Sequence, residues 1–201
     1  MFCYEKELKK QGYEFVIGVD EAGRGPLAGP VVAAAVMLAT FRFKNRIDDS
    51  KKISPLQREK AYLEIIDNSI FGIGIVDEKE IDSINILEAS RLAMQKAVSL
   101  LLDKLDEKFD YKRVFVIADG NMTLNLAFPC LSIVKGDSKS ISIAAASIIA
   151  KVTRDRIMRL YDKIYPQYRF LKHKGYPTRE HRGILKKIGL SPIHRKSFSF
   201  V

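Results

Sequence analysis

Acidic residues at the ends of apolar segments are the side chains of this sequence best suited to chemistry. Residues 15–19 form an apolar, partly β-branched segment that ends in two adjacent carboxylates, Asp20 and Glu21. An apolar segment of this length predicts a buried strand. Placing an ionised carboxylate near a dry interior costs on the order of several kcal/mol unless a cation offsets the charge. The two acids therefore require a positively charged partner.

Two later segments repeat this pattern. Residues 114–118 are followed by Asp119, and residues 131–134 are followed by Lys135-Gly-Asp137. In mixed α/β sheets, sites collect where strands end, so the acids converge if these strands are neighbours. Oxygen ligands without a nearby cysteine or histidine favour Mg²⁺ or Mn²⁺ over zinc. The sequence thus predicts a divalent metal site.

Each acid also has a structural interpretation. Asp119-Gly120 and Lys135-Gly-Asp137 are common turn sequences. Asp155 lies four residues from two basic side chains on a predicted helix, so an ion pair explains it. Side chains alternate faces along a strand. Asp20 and Glu21 therefore share a site only if the strand ends or bulges there, or if one contributes its backbone carbonyl.

A glycine-rich loop follows the first acid pair. Gly23-Arg-Gly-Pro-Leu-Ala28 fits the GxGxxG/A pattern of dinucleotide-binding proteins, which requires a helix to follow. Here Gly29-Pro30 follows instead, residues 31–38 are typical of a strand, and the acids would repel a pyrophosphate. Glycines that let the backbone approach a ribose or phosphate are the better interpretation.

Strand-like and helix-like segments alternate, which predicts an α/β fold whose first two strands form an antiparallel hairpin in a mixed sheet. Ser54 as N-cap, Pro55 at the first helical position and Gln57 form a capping box that begins a helix ending near Asp67. The other expected elements are strands over 70–76, 114–118 and 131–134 and helices over 80–105, 142–164 and 178–188.

The basic charge is concentrated in the last quarter of the chain. The net charge is +10, but residues 151–201 contain 14 Lys and Arg against 3 Asp and Glu and carry +11, whereas the remainder carries −1. A basic surface of this kind attracts polyanions, chiefly nucleic acid. A solvated helical surface is the alternative.

Length and composition limit the class of protein. A chain of 201 residues fits one domain. Cys3 and Cys130 lie far apart and form no CxxC motif, so we expect a cytoplasmic protein with free thiols. No apolar stretch approaches the roughly 18 residues of a membrane helix. A monomer is the default expectation.

Seven segments, in order, resemble bacterial ribonuclease HII, the type 2 ribonuclease H. They are Gly18-Val-Asp-Glu-Ala-Gly-Arg-Gly-Pro-Leu-Ala-Gly-Pro-Val-Val32, Asp49-Ser-Lys-Lys52, Asn85-Ile-Leu-Glu88, Ala118-Asp-Gly120, Lys135-Gly-Asp137, Ala145-Ala-Ser-Ile-Ile-Ala-Lys-Val152 and His173-Lys-Gly-Tyr176. The resemblance implies a ribonuclease H-like mixed sheet flanked by helices. It also implies one domain over 1–201, in which 166–201 is a basic, helical C-terminal extension packed near the substrate groove.

The resemblance further implies an activity and its residues. The activity is metal-dependent cleavage of RNA in RNA/DNA hybrids and on the 5′ side of single ribonucleotides in duplex DNA, leaving 3′-hydroxyl and 5′-phosphate ends. The matching catalytic acids, which hold two Mg²⁺ or Mn²⁺ ions, are Asp20, Glu21, Asp119 and Asp137. The matching substrate-binding residues are Gly23, Arg24 and Gly25 for the 2′-hydroxyl, Tyr176 for the adjoining sugar, Ser50, Lys51 and Lys52 for DNA phosphates, and, more weakly, Asn85.

Two other functions are compatible with parts of the sequence. A non-catalytic nucleic-acid-binding protein explains the basic C-terminal region but not four acids at strand ends. Another nuclease of the same superfold, such as a resolvase or transposase, explains the acids but not Gly23-Arg-Gly25 or Lys174-Gly-Tyr176. A metal-dependent mechanism needs no histidine base, so for His173, His181 and His194 an exposed or structural role is expected at least as much as a catalytic one.

Overall fold

Five strands form the central sheet of the computed structural model, which describes residues 2–106 and 109–199. They are β1 (Phe15–Ala22), β2 (Val31–Leu38), β3 (Ser69–Val76), β4 (Val114–Asp119) and β5 (Cys130–Ile133). Their order is β3-β2-β1-β4-β5; β2 is antiparallel to β1 and β3, whereas β1, β4 and β5 are parallel. The predicted mixed sheet and first hairpin are confirmed. The three strands followed by acids are neighbours.

Helices cover both faces of this sheet. They are α1 (Cys3–Lys10), α2 (Pro55–Asp67), α3 (Glu78–Leu102), α4 (Ile141–Ile164), α5 (Phe170–His173) and α6 (Arg179–Ile188). The apolar side of α3 packs on one face, and α2 and α4 pack on the other. The predicted capping box at Ser54 is present. No helix among the described residues is long and apolar enough to cross a membrane.

A close approach between α4 and β1 places the helix beside the first acid. A Cβ atom at Gly18 would lie 2.1 Å from the backbone carbon of Ser142, at the start of α4. Only glycine permits this contact, because any side chain would force the helix away from the strand. The alanine-rich first half of α4 continues the close packing. Ser147 is thereby held next to Asp20, and its hydroxyl lowers the pKa of that carboxyl, against the larger opposing effect of burial.

The C-terminal region packs against the glycine-rich loop between β1 and β2. The amide of Gly29 donates to the carbonyl of Ile193 (2.8 Å), and the amide of Arg195 donates to the carbonyl of Leu27 (2.9 Å). A separate cluster of apolar side chains lies beneath them: Leu27, Ala28, Met158, Tyr168, Phe170, Leu185 and Ile193. Residues 27–29 are thus fixed by residues more than 160 positions later in the chain.

Two elements, β1 and α3, differ from expectation. β1 does not end at Val19 but continues to Ala22. The helix expected over 80–105 ends at Leu102 and is interrupted at Asn85, where φ is 66° and ψ is 165°. The Asn85 side chain accepts hydrogen bonds from the amides of Leu87 and Glu88 and so caps the second part of α3. Asparagine tolerates this left-handed φ, and the apolar spacing on either side conceals the break.

Candidate active site

Three carboxylates from separate strand ends lie together at one edge of the sheet. Asp20 is in β1, Asp119 ends β4, and Asp137 is in the short 3₁₀ helix Gly136–Ser138 that follows β5. Each offers an oxygen within 4.8 Å of the others. Lys135, with φ of 57°, turns the chain sharply, and the amide of Gly136 donates to Asp119 Oδ1 at 2.6 Å. This turn brings Asp137 to the other two acids.

Glu21 enters this region differently. The pairing of β1 with β2 is regular through Asp20, Glu21 and Ala22, so the strand neither ends nor bulges between the two acids. Their side chains therefore point to opposite faces. The Glu21 carboxylate accepts from Arg24 Nη1 at 3.4 Å and is outside the group of three. Of the three arrangements considered for a site shared with Asp20, the regular strand leaves the one in which Glu21 contributes its backbone carbonyl.

Burial and mutual repulsion govern the charges of the site. Burial, followed by the charges of Glu21 and Asp119, raises the pKa of Asp20 well above its usual value. Burial and the charge of Asp119 likewise raise the pKa of Asp137. Burial opposes the charge of Lys51, but the surrounding carboxylates raise the pKa of its ammonium. A concentrated negative charge made of carboxylate oxygens fits a hard divalent cation such as Mg²⁺ or Mn²⁺.

A cleft of about 350 Å³ opens next to these acids. It contains six of the eight candidate substrate-binding residues, all of which the structure describes. The residues lining it are Glu21, Ala22, Gly23, Arg24, Gly25, Ser50, Lys51, Asp119, Ser147, Lys151 and Tyr176. The glycine-rich loop, the segment before α2 and the C-terminal region therefore meet at one site.

The two remaining substrate candidates, Lys52 and Asn85, lie elsewhere, and Ser50 is enclosed. Lys52 does not line the cleft; its ammonium lies 3.9 Å from Asp48 and 3.8 Å from Asp49. Asn85 is also outside the cleft lining and serves as the cap within α3. Ser50 is only 3% exposed and accepts a hydrogen bond from the hydroxyl of Ser147 (2.9 Å). Its hydroxyl therefore stands in a buried pair that also borders Asp20.

Tyr176 lies beside the glycine-rich loop. A Cβ atom placed on Gly25 would lie 3.9 Å from Tyr176 Cε1. The Tyr176 side chain is 38% exposed. The ammonium of Lys151 and the guanidinium of Arg154 lie 5.7 and 5.8 Å from the ring centroid. The ring thus offers an open aromatic surface between a backbone segment and two cations.

Two buried arginines, which the sequence analysis does not identify, support the loop. Arg195 donates to the carbonyls of Gly23 (2.6 Å), Arg24 (3.0 Å) and Gly29. Arg154 donates to three more backbone carbonyls of the loop and the segment before Tyr176. Burial lowers the pKa of Arg195 to about 9 and that of Arg154 to about 10. Their sequence signal is weak because both belong to a strongly basic segment.

The Arg195 contacts orient the peptide groups of the loop. In a planar trans peptide, a carbonyl and the following N–H point in opposite directions. Because the carbonyls of Gly23 and Arg24 point toward Arg195, the amides of Arg24 and Gly25 point away from it. The loop therefore presents successive N–H groups on the side opposite the buried guanidinium, a suitable arrangement for an oxygen-rich ligand.

The three histidines are buried rather than exposed. His173, His181 and His194 are 7%, 0% and 1% exposed, respectively. None of them lines the cleft, and their ring nitrogens bond to one another, to the backbone or to the hydroxyl of Ser191. Asp155, in turn, forms an ion pair with Lys151 at 2.7 Å.

Comparison with known proteins identifies similar chains. Residues 17–201 match the ribonuclease HII family. The ribonuclease HII of Acetivibrio thermocellus is 55% identical over 200 residues, which cover 99% of this chain and 75% of that protein. The crystal structure of ribonuclease H2 from Pyrococcus horikoshii has a TM-score of 0.69 and 27% identity, covering 92% of this chain and 94% of that one.

A second solved structure, the complex of PCNA and RNase HII from Archaeoglobus fulgidus, has a TM-score of 0.73 and 23% identity. It covers 92% of this chain and 95% of that one. These similarities confirm the expected ribonuclease H-like mixed sheet flanked by helices, with a helical C-terminal region.

Proposed function

The chain belongs to the ribonuclease HII family and is a ribonuclease H enzyme, and on that premise we propose that it cuts duplex DNA on the 5′ side of a single embedded ribonucleotide as well as the RNA strand of RNA/DNA hybrids. The products are 3′-hydroxyl and 5′-phosphate ends. The observation that carries the proposal is the group of three carboxylates at strand ends, of which Asp119 lines the cleft that also contains the glycine-rich loop and the exposed Tyr176.

Asp20, Asp119 and Asp137 are the residues that hold the metal, with the backbone carbonyl of Glu21 as a further ligand. Their oxygens are within 4.8 Å of one another, and burial, followed by the neighbouring negative charges, raises the pKa of Asp20 and Asp137. When bound, two Mg²⁺ or Mn²⁺ ions supply an activated water and stabilise the departing 3′-oxygen. By holding the ions, the carboxylates would determine where the reacting phosphodiester binds.

Recognition of the ribonucleotide is assigned to the loop and the tyrosine. The 2′-hydroxyl distinguishes RNA from DNA and both donates and accepts hydrogen bonds. The Gly23–Gly25 backbone, held from behind by Arg195, is the group placed to bind it, and the Tyr176 ring is placed to stack on the adjoining sugar. Lys51 lies among the acids and, with Ser50, Lys52 and Asn85, completes the proposed contacts to the substrate backbone.

The C-terminal extension over 166–201 contributes to binding in this proposal. It supplies Tyr176 to the cleft and belongs to the segment that carries the excess of basic residues. Basic side chains bind duplex phosphates without regard to sequence, and binding of this kind weakens steeply with salt. The expected monomer and the cytoplasmic location are part of the same proposal; light scattering and cell fractionation test them.

The decisive experiment uses the full chain with Mg²⁺ or Mn²⁺ and three end-labelled duplexes of one sequence. One is all DNA, one contains a single ribonucleotide, and one is a uniform RNA/DNA hybrid. We expect one cut on the 5′ side of the single ribonucleotide, several cuts in the hybrid and none in all-DNA duplex. Binding without cleavage under either metal, or cleavage of the all-DNA duplex, contradicts the proposal.

A further inference from the structure

Two buried histidines of the C-terminal region are hydrogen-bonded to each other. His181 lies in α6 and His194 follows it, and their Nε2 atoms are 3.0 Å apart. Both rings are almost completely buried. Two facing ring nitrogens form a stable contact only when one carries a hydrogen and the other a lone pair. The hydrogen-bond partners of the two outer nitrogens, Nδ1 of each ring, determine which Nε2 atom carries the hydrogen.

These outer partners determine the tautomer of each ring. His181 Nδ1 lies 3.0 Å from the carbonyl of Tyr176, which can only accept, so His181 Nδ1 carries the hydrogen. His194 Nδ1 lies 2.7 Å from the Ser191 hydroxyl, which can donate or accept, and 2.9 Å from the amide of Ser191, which can only donate, so the amide requires that this nitrogen carry the lone pair. His194 Nε2–H therefore donates to His181 Nε2. The bonds run in one direction, from Ser191 to the carbonyl of Tyr176.

Both rings are neutral in this arrangement. Burial, followed by the charge of His173, lowers the pKa of His181 to about 4. Burial, followed by the charge of His181, lowers the pKa of His194 to about 4. A neutral ring has one N–H and one lone pair, which is what each ring needs to satisfy both of its partners. A proton added to either ring would turn an accepting nitrogen into a second donor and break the sequence of bonds.

The His181 end of this hydrogen-bond chain positions the backbone of Tyr176. The Tyr176 carbonyl accepts from His181 Nδ1 and also from the amide of Thr178 (2.8 Å). His173 stacks on the His181 ring with centroids 4.1 Å apart, which prevents that ring from turning. The backbone position of Tyr176 is therefore fixed by His181, and with it the position of the aromatic ring beside Gly25.

The His194 end contacts the glycine-rich loop and positions its backbone. The backbone of His194 forms a β-bridge with Ala28. The next residue, Arg195, donates its amide to Leu27 at 2.9 Å and its guanidinium to the carbonyls of Gly23 and Arg24. A change in the position of His194 is thus transmitted directly to the backbone proposed to bind the 2′-hydroxyl.

We propose that the His181–His194 hydrogen bond sets the separation between the Tyr176 ring and the Gly23–Gly25 backbone, and that both histidines are positioning residues for selection of a ribonucleotide flanked by DNA. The inference rests on the proposed function, which assigns the sugar contacts to Tyr176 and the loop. The histidines themselves lie outside the cleft and act only through these two elements.

The first test does not depend on activity. Long-range ¹H–¹⁵N spectra of the histidine rings in the wild-type protein, recorded at pH 7 without metal, report which nitrogen of each ring is protonated. We expect the Nδ1–H tautomer for His181 and the Nε2–H tautomer for His194. Finding Nε2–H on both rings, or a charged ring, overturns the inference because the two nitrogens would then repel each other.

The second test compares two substrates. The cleavage rate at a single ribonucleotide is divided by the rate on a uniform RNA/DNA hybrid, so that a general loss of folded enzyme cancels. His194→Phe removes the donor to His181, and we expect the ratio to fall about tenfold, since a misplacement of about 1 Å can cost up to about 10²-fold. His194→Gln, whose amide N–H can replace Nε2–H, should recover most of the ratio.

Tyr168→Phe is the matched control for lost packing. It removes the hydrogen bond from the Tyr168 hydroxyl to the carbonyl of Gly189 (3.1 Å) in the same apolar cluster, away from Tyr176. Its ratio should equal that of the wild type. An unchanged ratio in His194→Phe, or an equal fall in the control, refutes the positioning role. If the wild-type protein does not cleave at single ribonucleotides, the proposed function is contradicted instead. The tautomer spectra still test the hydrogen bond in that case.

Discussion

Removal of one negative charge from the acidic group should stabilise the protein when no metal is present. Asp119 and its two acidic neighbours have oxygens within 4.8 Å of one another. Two charges at that distance repel by about 3.5 kcal/mol at an effective dielectric constant of about 20. Asp119→Asn keeps the shape and an oxygen that accepts from the amide of Gly136, but removes the charge.

The expected net gain is smaller than the sum of both repulsions. The neighbouring ammonium of Lys51 offsets part of the negative charge, and partial protonation of Asp20, whose pKa is raised, relieves more of it. The hydrogen bond from Gly136 also loses its charge-assisted component, which is worth roughly 1 kcal/mol. We therefore expect a gain of about 2 kcal/mol, which corresponds to a rise of roughly 4–8 °C in the unfolding midpoint of a chain of this size.

Thermal unfolding in EDTA, and again in excess Mg²⁺ or Mn²⁺, measures this effect. Metal should raise the midpoint of the wild type, because only the folded state offers the assembled site, and should raise that of Asp119→Asn much less. Cleavage by the variant should be lost while duplex binding remains. Asp155→Asn is the matched control: its carboxylate pairs with Lys151 and Arg58, so the change should lower the midpoint in both buffers. A lower midpoint for Asp119→Asn in EDTA would refute the electrostatic reasoning.

Three further predictions follow from other parts of the structure. Tyr176→Ala should reduce cleavage mainly at single ribonucleotides; an unchanged ratio of rates on the single-ribonucleotide and hybrid duplexes removes its sugar-stacking role. Gly18→Ala should destabilise the protein by about 1–3 kcal/mol or more through overpacking. Gly183→Ala, whose Cβ meets nothing within 4 Å, should instead stabilise α6 by about 0.5–1 kcal/mol. Urea titration measures the free energy of unfolding of both variants. Burial lowers the pKa of His181 and His194 to about 4 in the folded state, below the ordinary value of 6.5. The unfolded chain therefore binds more protons at these two groups between these values, and their contribution to stability should fall as the pH drops from 6.5 toward 4, by at most about 3 kcal/mol per histidine. The raised pKa values of Asp20 and Asp137 act in the opposite direction, so urea midpoints of the wild type across this range are compared with those of His194→Phe, and equal pH profiles contradict the prediction.

The parts of the fold that the sequence predicts well are those with local signals. The apolar segments of β1, β2 and β4 contain enough β-branched and small residues to be recognised as buried strands, and the capping box at Ser54 depends on residues only three positions apart. The end of β1 was predicted three residues too early. Charged residues at a strand end normally indicate a turn, and pairing with β2 overrides that signal through Ala22.

The acids of the candidate site were recognised because each follows an apolar segment, and the motif order identified the family. The convergence of Asp20, Asp119 and Asp137 additionally needs β1, β4 and β5 to be adjacent, which no local signal encodes. The sequence also left three routes for Glu21. The unbroken register with β2 excludes two of them, since a bulge or an early strand end would have shown as a shift in pairing.

By itself, the sequence determined the class of fold, the acidic residues and the family, because hydrophobic periodicity, capping and motif order are local or are preserved in linear order. Only the tertiary structure decided which basic and imidazole side chains are buried. Arg195 and His194 belong to a segment whose composition is that of a solvated basic surface, yet they bond to a loop about 170 residues earlier. Contacts between such distant residues leave no periodic pattern in the sequence. The loop carbonyls need hydrogen-bond donors only because the folded chain buries them, so this need cannot be predicted from the sequence.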